Sequence, residues 1–533
     1  MRRSTRAPAT PALALLALLS CDHSATAPRL DQLTLDVVSG DGQTAVVGHE
    51  LAPLVVKVTS GGNPVVEQIL NFRVVSGGGS VYGGTALTDN DGIAQELWTL
   101  GTSTAADQKV EVRAVESSTG AKKVFATFSA TALPGPAAQI AIRAGNQQTA
   151  HPLSSVPIAP AVQATDQYGN PVNLANVTVD FVPDDGSGTV TNGRTTTGAN
   201  GVATVGSWTI GATCGSANTL TATARGNGIA GNPATFTARA GDCWTTKASM
   251  PTARELLGTV TVGGTLYAVG GNSNGTVLAT VEGYDPNTNA WTPDASLPTA
   301  RICPGVAAIN GVLYAVGGDP TGNNNPVATV EAYDPATNTW TTKASMPTAR
   351  YCLGLTVVNG ILYAVGGAAS NGTPLATLEA YDPTTNTWTT KASMPTARVD
   401  FGVAAINGIL YAVGGFSVIN NVGTNQATVE AYDPAANAWV TKASMPTARH
   451  RFGVGVINGI LYAVGGQSSQ SNPPTFASML EAYDPSTDTW STKAPMPTVR
   501  SSLGVTAING VLYAVGGVTV SGALQATVEA YQP

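Results

Sequence analysis

The sequence predicts an all-β chain, with two β-sandwiches followed by a ring of six short sheets. Three observations carry this reading. NGILYAVGG starts at Asn359, Asn407 and Asn458, NGVLYAVGG at Asn310 and Asn509, and GGTLYAVGG at Gly263. Residues 31–241 divide into two halves that echo one another. Only 11% of residues are charged, while Gly, Thr, Ala, Val and Asn abound, a balance that suits short strands and tight turns. At 533 residues the chain needs more than one hydrophobic core.

From the N-terminus, MRRSTR precedes the apolar run PALALLALLS, which is too short to span a bilayer. Residues 1–20 therefore read as an export signal. Leu18-Leu19-Ser20-Cys21 resembles the bacterial lipobox, which implies lipid attachment at Cys21, the first mature residue, ahead of a linker over 21–30. The expected location is the bacterial cell envelope, with membrane contact through the lipid anchor only. Without Arg2, Arg3 and Arg6 the chain has 23 basic and 33 acidic residues, a formal charge of −10. Nucleic acid is not an expected partner, because that affinity rests on clustered Lys and Arg.

The two halves span 31–134 and 135–243. LAPLVVKVTSGGNPV matches IAPAVQATDQYGNPV, FRVVSGGGSV matches FVPDDGSGTV, and TDNDGIAQELWTLG matches TGANGVATVGSWTIG, which makes Trp98 and Trp208 equivalent core residues. Alternating segments such as LVVKV and TLTATA between GN, GG and DG turns predict antiparallel sandwiches. The order of these motifs resembles bacterial Ig-like domains, which act as spacers or stalks. Asp89 and Asp91 fit a hairpin turn better than a calcium loop, since Leu100 stands where that loop needs a bidentate Glu. Cys214 and Cys243 bracket two predicted strands and are expected to form a disulfide, worth ~3 kcal/mol in the loop-entropy picture.

From Trp244 onward the Trp spacings are 47, 49, 48, 51 and 51. Within each repeat, two five-residue apolar strands such as GVAAI and VLYAV flank Asn-Gly, a strong hairpin signal because both positions accept φ > 0. A third strand, ATVEAYD, ends in an Asn-rich turn, and a fourth starts at the Trp. Such a sheet cannot cover both its faces alone, so copies must stack around an axis. The chain ends at AYQP before a seventh Trp, which predicts that Trp244 to Met250 supplies the outer strand of the last sheet. The Gly-Gly pair, Tyr and Trp at fixed offsets resemble kelch repeats over 244–533. That resemblance implies a six-bladed kelch β-propeller, and for most such propellers a protein or glycan held at one mouth; a minority are enzymes.

Each repeat has an Arg at one fixed offset (Arg254, Arg301, Arg350, Arg398, Arg449, Arg500) and a Glu at another (Glu282, Glu331, Glu379, Glu430, Glu481, Glu529). Equal numbers at fixed offsets predict internal ion pairs, since a buried charge requires a partner. Just after each Arg the copies diverge: Glu255-Leu256, Ile302-Cys303, Tyr351-Cys352, Val399-Asp400, His450-Arg451 and Ser501-Ser502. The loops after Gly-Gly diverge as well. In peptide-binding kelch propellers these two places line one mouth, so the resemblance makes Glu255, Tyr351, Asp400, His450 and Arg451 the candidate ligand contacts. Absence of constraint produces the same variation, and both explanations stand at this point.

Cys303 and Cys352 occupy one position of adjacent repeats and are expected as two thiols, because equivalent atoms of neighbouring inner strands usually lie too far apart to bridge. A copper site of the galactose-oxidase kind needs at least two His, and only His450 of the four falls in the repeats. No cofactor and no metal are expected. The function that follows is a cell-surface binding protein with a protein or glycan ligand at the propeller mouth. A carbohydrate-active enzyme such as a sialic acid mutarotase, using Glu255, Asp400 or His450, is one alternative; a purely structural envelope protein is another.

Overall fold

The computed structural model describes residues 28–116, 119–172, 177–419, 422–469 and 474–533. The expected signal and Cys21 lie outside them. Apart from one 3-10 turn at Leu30–Gln32, the regular structure is entirely β.

The two N-terminal halves share one topology. In the first, Leu33–Ser39, Leu54–Ser60, the short Asn63–Pro64 and Ile93–Glu96 form one sheet, and the other runs Gln43–Val46, Lys122–Leu133, Gln108–Val115, Ile69–Ser76, Thr85–Leu87. In the second, Gln139–Ala144, Ala161–Thr165 and Val202–Thr204 face a sheet ordered Gln148–Ala150, Ala234–Ala240, Ala217–Ala224, Thr178–Pro183, Arg194–Thr196. Each larger sheet has one parallel pair at its edge, Gln43–Val46 in the first half and Gln148–Ala150 in the second. Trp98 and Trp208 are both fully buried at the centres of these cores. Trp208 Nε1 donates to the Ser187 carbonyl at 2.9 Å, whereas the buried Trp98 Nε1 has no acceptor among the described residues. Asp89 Oδ1 accepts the N–H groups of Asp91 and Ile93, each at 2.9 Å, and so closes the expected hairpin turn.

Residues 243–533 form six four-stranded antiparallel sheets. The second of them illustrates the plan: Gly305–Ile309, Val312–Val316, Val330–Asp334 and Thr339–Lys343, paired in that order. First strands touch one another in a closed cycle, from Gly258–Val262 through each sheet to Gly504–Ile508 and back. The last sheet takes its outer strand, Cys243–Lys247, from the start of the repeats, with Trp244 opposite Tyr531. Closing the ring this way leaves no sheet incomplete.

The repeated residues hold sheet to sheet. Each of the six repeat Trp indoles donates to an Ala carbonyl of the preceding sheet, for example Trp388 to Ala344 at 2.9 Å and Trp244 to Ala494 at 2.8 Å. Two residues before the Trp, an Asn or Asp side chain accepts from the Tyr hydroxyl of its own sheet and from the N–H of that same preceding-sheet Ala, as Asn386 does from Tyr381 (2.7 Å) and Ala344 (2.9 Å). Asp242 plays this part for the last sheet, with Tyr531 at 2.6 Å and Ala494 N at 2.8 Å. The repeat pattern thus begins two residues before Trp244, inside the segment read from sequence as the second sandwich. Asp242 also faces His151 of that sandwich at 3.3 Å, and beside it Cys214 and Cys243 are joined as a disulfide.

All six Arg side chains are fully buried and each is ion-paired with the Glu of its own sheet. The second carboxylate oxygen of each Glu accepts from a Thr hydroxyl, as Glu379 does from Thr348 at 2.7 Å, so the buried charge is satisfied on both oxygens. Burial lowers the Arg350 guanidinium to about 10, with Glu379 opposing, which leaves it charged at neutral pH.

Candidate functional site

The chain emerges from each buried Arg at one end of the ring axis, and the next three residues build the mouth. The first of them exchanges hydrogen bonds with the residue after Gly-Gly, as Tyr351 does with Ala368 and His450 with Gln467. This approach requires glycine: a Cβ on Gly367, directly before Ala368, would lie 2.8 Å from the Tyr351 carbonyl oxygen, and Gly367 has φ of 93°.

The second residue is left-handed in every copy, with φ of 53° at Leu256, 48° at Cys303 and Cys352, 55° at Asp400, 54° at Arg451 and 56° at Ser502. In this conformation each N–H donates to the carbonyl of the same position in the neighbouring sheet: Cys303 to Leu256 (2.8 Å), Cys352 to Cys303 (3.1 Å), Asp400 to Cys352 (3.4 Å), Arg451 to Asp400 (2.9 Å), Ser502 to Arg451 (2.8 Å), Leu256 to Ser502 (2.9 Å). The six bonds close a backbone ring around the axis. A left-handed non-glycine residue costs of order 1–3 kcal/mol, and here the surrounding sheets and the ring bonds hold all six in place.

This ring overturns the expectation of two separate thiols. It brings the Cα atoms of Cys303 and Cys352 to 4.6 Å, and the two form a disulfide. The spacing of neighbouring strands does not apply here, because at this position the chain has left the strand and turned in to the axis.

The third residue is apolar in every copy: Leu257, Pro304, Leu353, Phe401, Phe452 and Leu503 line the axial cavity together with the ring residues. Above the ring opens a larger cavity of about 320 Å³, whose lining includes Tyr351, Asp400, His450, Arg451, Asn324 and Phe416. Four of the five sequence candidates therefore meet in one place. Glu255 does not line this cavity, although its charge reaches Arg451.

Arg451 Nε donates to Asp400 Oδ2 at 3.2 Å, and its side chain is 44% exposed against 13% for Asp400. The Asp400 carboxylate raises the Arg451 guanidinium above its ordinary value. Tyr351 donates its hydroxyl to Asn324 Oδ1 at 2.7 Å; burial pushes its phenol up, with Asp400 and Asp319 adding to the effect. His450 is 5% exposed, its ring 5.7 Å from that of Phe416 and its Nδ1 without a hydrogen-bond partner among the described residues. Burial holds this imidazole below its ordinary value, against the pull of Asp400. The mouth is thus a polar cup with one ion pair and two aromatic walls, floored by apolar side chains. It fits a ligand that offers both hydrogen-bonding groups and an apolar face.

Sequence reasoning missed Leu256, Cys303, Cys352 and Ser502 as ring members, and Asn324 and Phe416 as walls. The fixed offset two residues after each Arg was the available signal; of the residue types there only Asp400 is one that commonly adopts a left-handed backbone, too little to mark all six copies.

Comparison with known proteins agrees with the repeat plan. Residues 305–517 match the KLHDC2/KLHL20/DRC7 Kelch-repeats domain, and residues 253–298 match the Kelch motif. Kelch-like ECH-associated protein 1A of Danio rerio is 40% identical over 90 residues, which cover 17% of this chain and 15% of that protein. Kelch-like protein 28 of Homo sapiens is 36% identical over 94 residues, covering 17% and 16% respectively. The matched segments are therefore a small part of either relative. Among solved structures, that of YjhT aligns with a TM-score of 0.46 at 18% identity, over 52% of this chain and 95% of that one. The sheets that follow the N-terminal halves form a kelch-repeat β-propeller.

Proposed function

We propose that this chain is a cell-surface recognition protein: exported, lipid-anchored at Cys21, with two Ig-like modules carrying a six-bladed propeller that holds a protein or glycan at its mouth. The observation that supports this reading is convergence. Side chains that differ from copy to copy, Tyr351, Asp400, His450 and Arg451, meet around one cavity, while the residues repeated in every copy are occupied in holding the sheets together. Relaxed constraint explains variation but not its concentration on one cup with an ion pair and aromatic walls.

The test is a glycan-array and envelope-protein capture screen of the full chain, beside a variant with Tyr351→Ala, Asp400→Ala and Arg451→Ala combined. The reading expects a ligand bound by the wild type and lost from the folded triple variant. A ligand retained by that variant, or none for either protein, counts against it.

A further inference from the structure

The backbone ring carries a cluster whose metal-ligating chemistry neither the fold nor the proposed ligand recognition draws on. The Sγ atoms of Cys303 and Cys352 and a carboxylate oxygen of Asp400 lie within 4.8 Å of one another. They belong to consecutive ring positions whose backbones are bonded to each other, and all three residues line both the axial cavity and the mouth cavity. In the disulfide form the sulfurs are bonded together and offer no thiolate. We propose that the reduced form binds one thiophilic divalent cation, such as Zn²⁺ or Cd²⁺, through both thiolates and Asp400.

Three features favour such a site. Two thiolates and a carboxylate are a donor set suited to Zn²⁺ and its congeners, and three protein ligands leave a fourth coordination position open to the mouth. Arg451 already grips Asp400 through Oδ2, which orients the carboxylate and leaves Oδ1 for the metal, as an outer-shell partner does. With two thiolates, one carboxylate and one guanidinium, the local charge is −2, which a divalent cation neutralises. The three residues are joined through their backbones, Cys352 N–H to Cys303 and Asp400 N–H to Cys352, by bonds that do not involve the sulfurs.

Opening the site takes two electrons and two protons, which convert the disulfide into two thiols. A trialkylphosphine supplies the electrons and, with water, ends as its oxide while the water's two protons go to the sulfurs. Binding the metal then releases both thiol protons.

The experiment uses the full chain with and without phosphine treatment, titrated with Cd²⁺ and followed by thiolate-to-metal charge-transfer absorption and by equilibrium dialysis. Reduction also frees Cys214 and Cys243, so the reference is the reduced Cys303→Ser/Cys352→Ser variant, which keeps those thiols. The expected result is one more Cd²⁺ bound by the reduced wild type than by that variant, none at this site in the unreduced wild type, and affinity weakened at least about tenfold by Asp400→Asn. Unreduced wild type serves as the folded reference should the double variant unfold. Equal binding by reduced and unreduced wild type, or by reduced wild type and the double variant, overturns the site. Undiminished affinity in Asp400→Asn removes Asp400 from it and overturns the three-ligand assignment.

Discussion

Arg449 and Arg451 stand two residues apart and do opposite things. Arg449 is fully buried on Glu481, and the same pair recurs in every sheet. Arg451 is 44% exposed at the mouth, paired with Asp400 across a sheet boundary, and among the described residues no other copy has an equivalent pair. The comparison teaches how to read a repeat protein: what recurs holds the ring closed, and what does not recur is available for something else. Each prediction below breaks or sharpens that contrast.

The largest effect is expected where a recurrent charge loses its partner. Glu379→Ala leaves Arg350 buried and unpaired and should cost about 3–5 kcal/mol in chemical denaturation. Next is the Cys303–Cys352 disulfide, which closes a loop with a sequence separation of 49. The chain-entropy picture gives up to about 4 kcal/mol for a loop of that length. Replacing both with Ser should lower stability by no more than this and leave the repeat fold intact by circular dichroism, because the backbone ring survives.

A smaller contrast sharpens the two N-terminal halves against each other. Trp98→Phe and Trp208→Phe remove the same volume from equivalent cores, but only Trp208 loses a hydrogen bond. Trp208→Phe should be the more destabilising by about 1 kcal/mol, read from paired urea melts. The smallest effect concerns His450. Its folded-state pKa is depressed by burial, so on acidification the unfolded chain takes up its proton first, and stability falls as pH drops below the ordinary histidine value of 6.5. The unfolding free energy of wild type should therefore decline relative to His450→Gln between pH 7 and 5.

The parts legible in the sequence were those written in residue types with one dominant physical use. Asn-Gly hairpins marked the paired inner strands, the Trp spacing marked the repeat, and six Arg with six Glu at fixed offsets left internal pairing as the simplest arrangement. The chain ends also told how the ring closes, since Trp244 lacked the strands that Tyr531 could offer. The illegible parts depend on backbone geometry that the side chains do not announce. Leu256, Cys303, Cys352, Arg451 and Ser502 are not residues that favour φ > 0, yet all are held there by the ring. Hence the disulfide was missed, and with it the close grouping of Cys303, Cys352 and Asp400. Glu255 was chosen by its offset alone, and the lining of the cavity shows that equivalent offsets do not all reach the same wall.

The most direct test of the scaffold-and-mouth division is equilibrium unfolding of two variants side by side: Glu379→Ala, and Tyr351→Ala/Asp400→Ala/Arg451→Ala. The division predicts that the single scaffold change costs about 3–5 kcal/mol while the triple mouth change costs no more than about 1–2 kcal/mol. A triple variant as unstable as Glu379→Ala would contradict it, because the mouth residues would then be part of what holds the ring together.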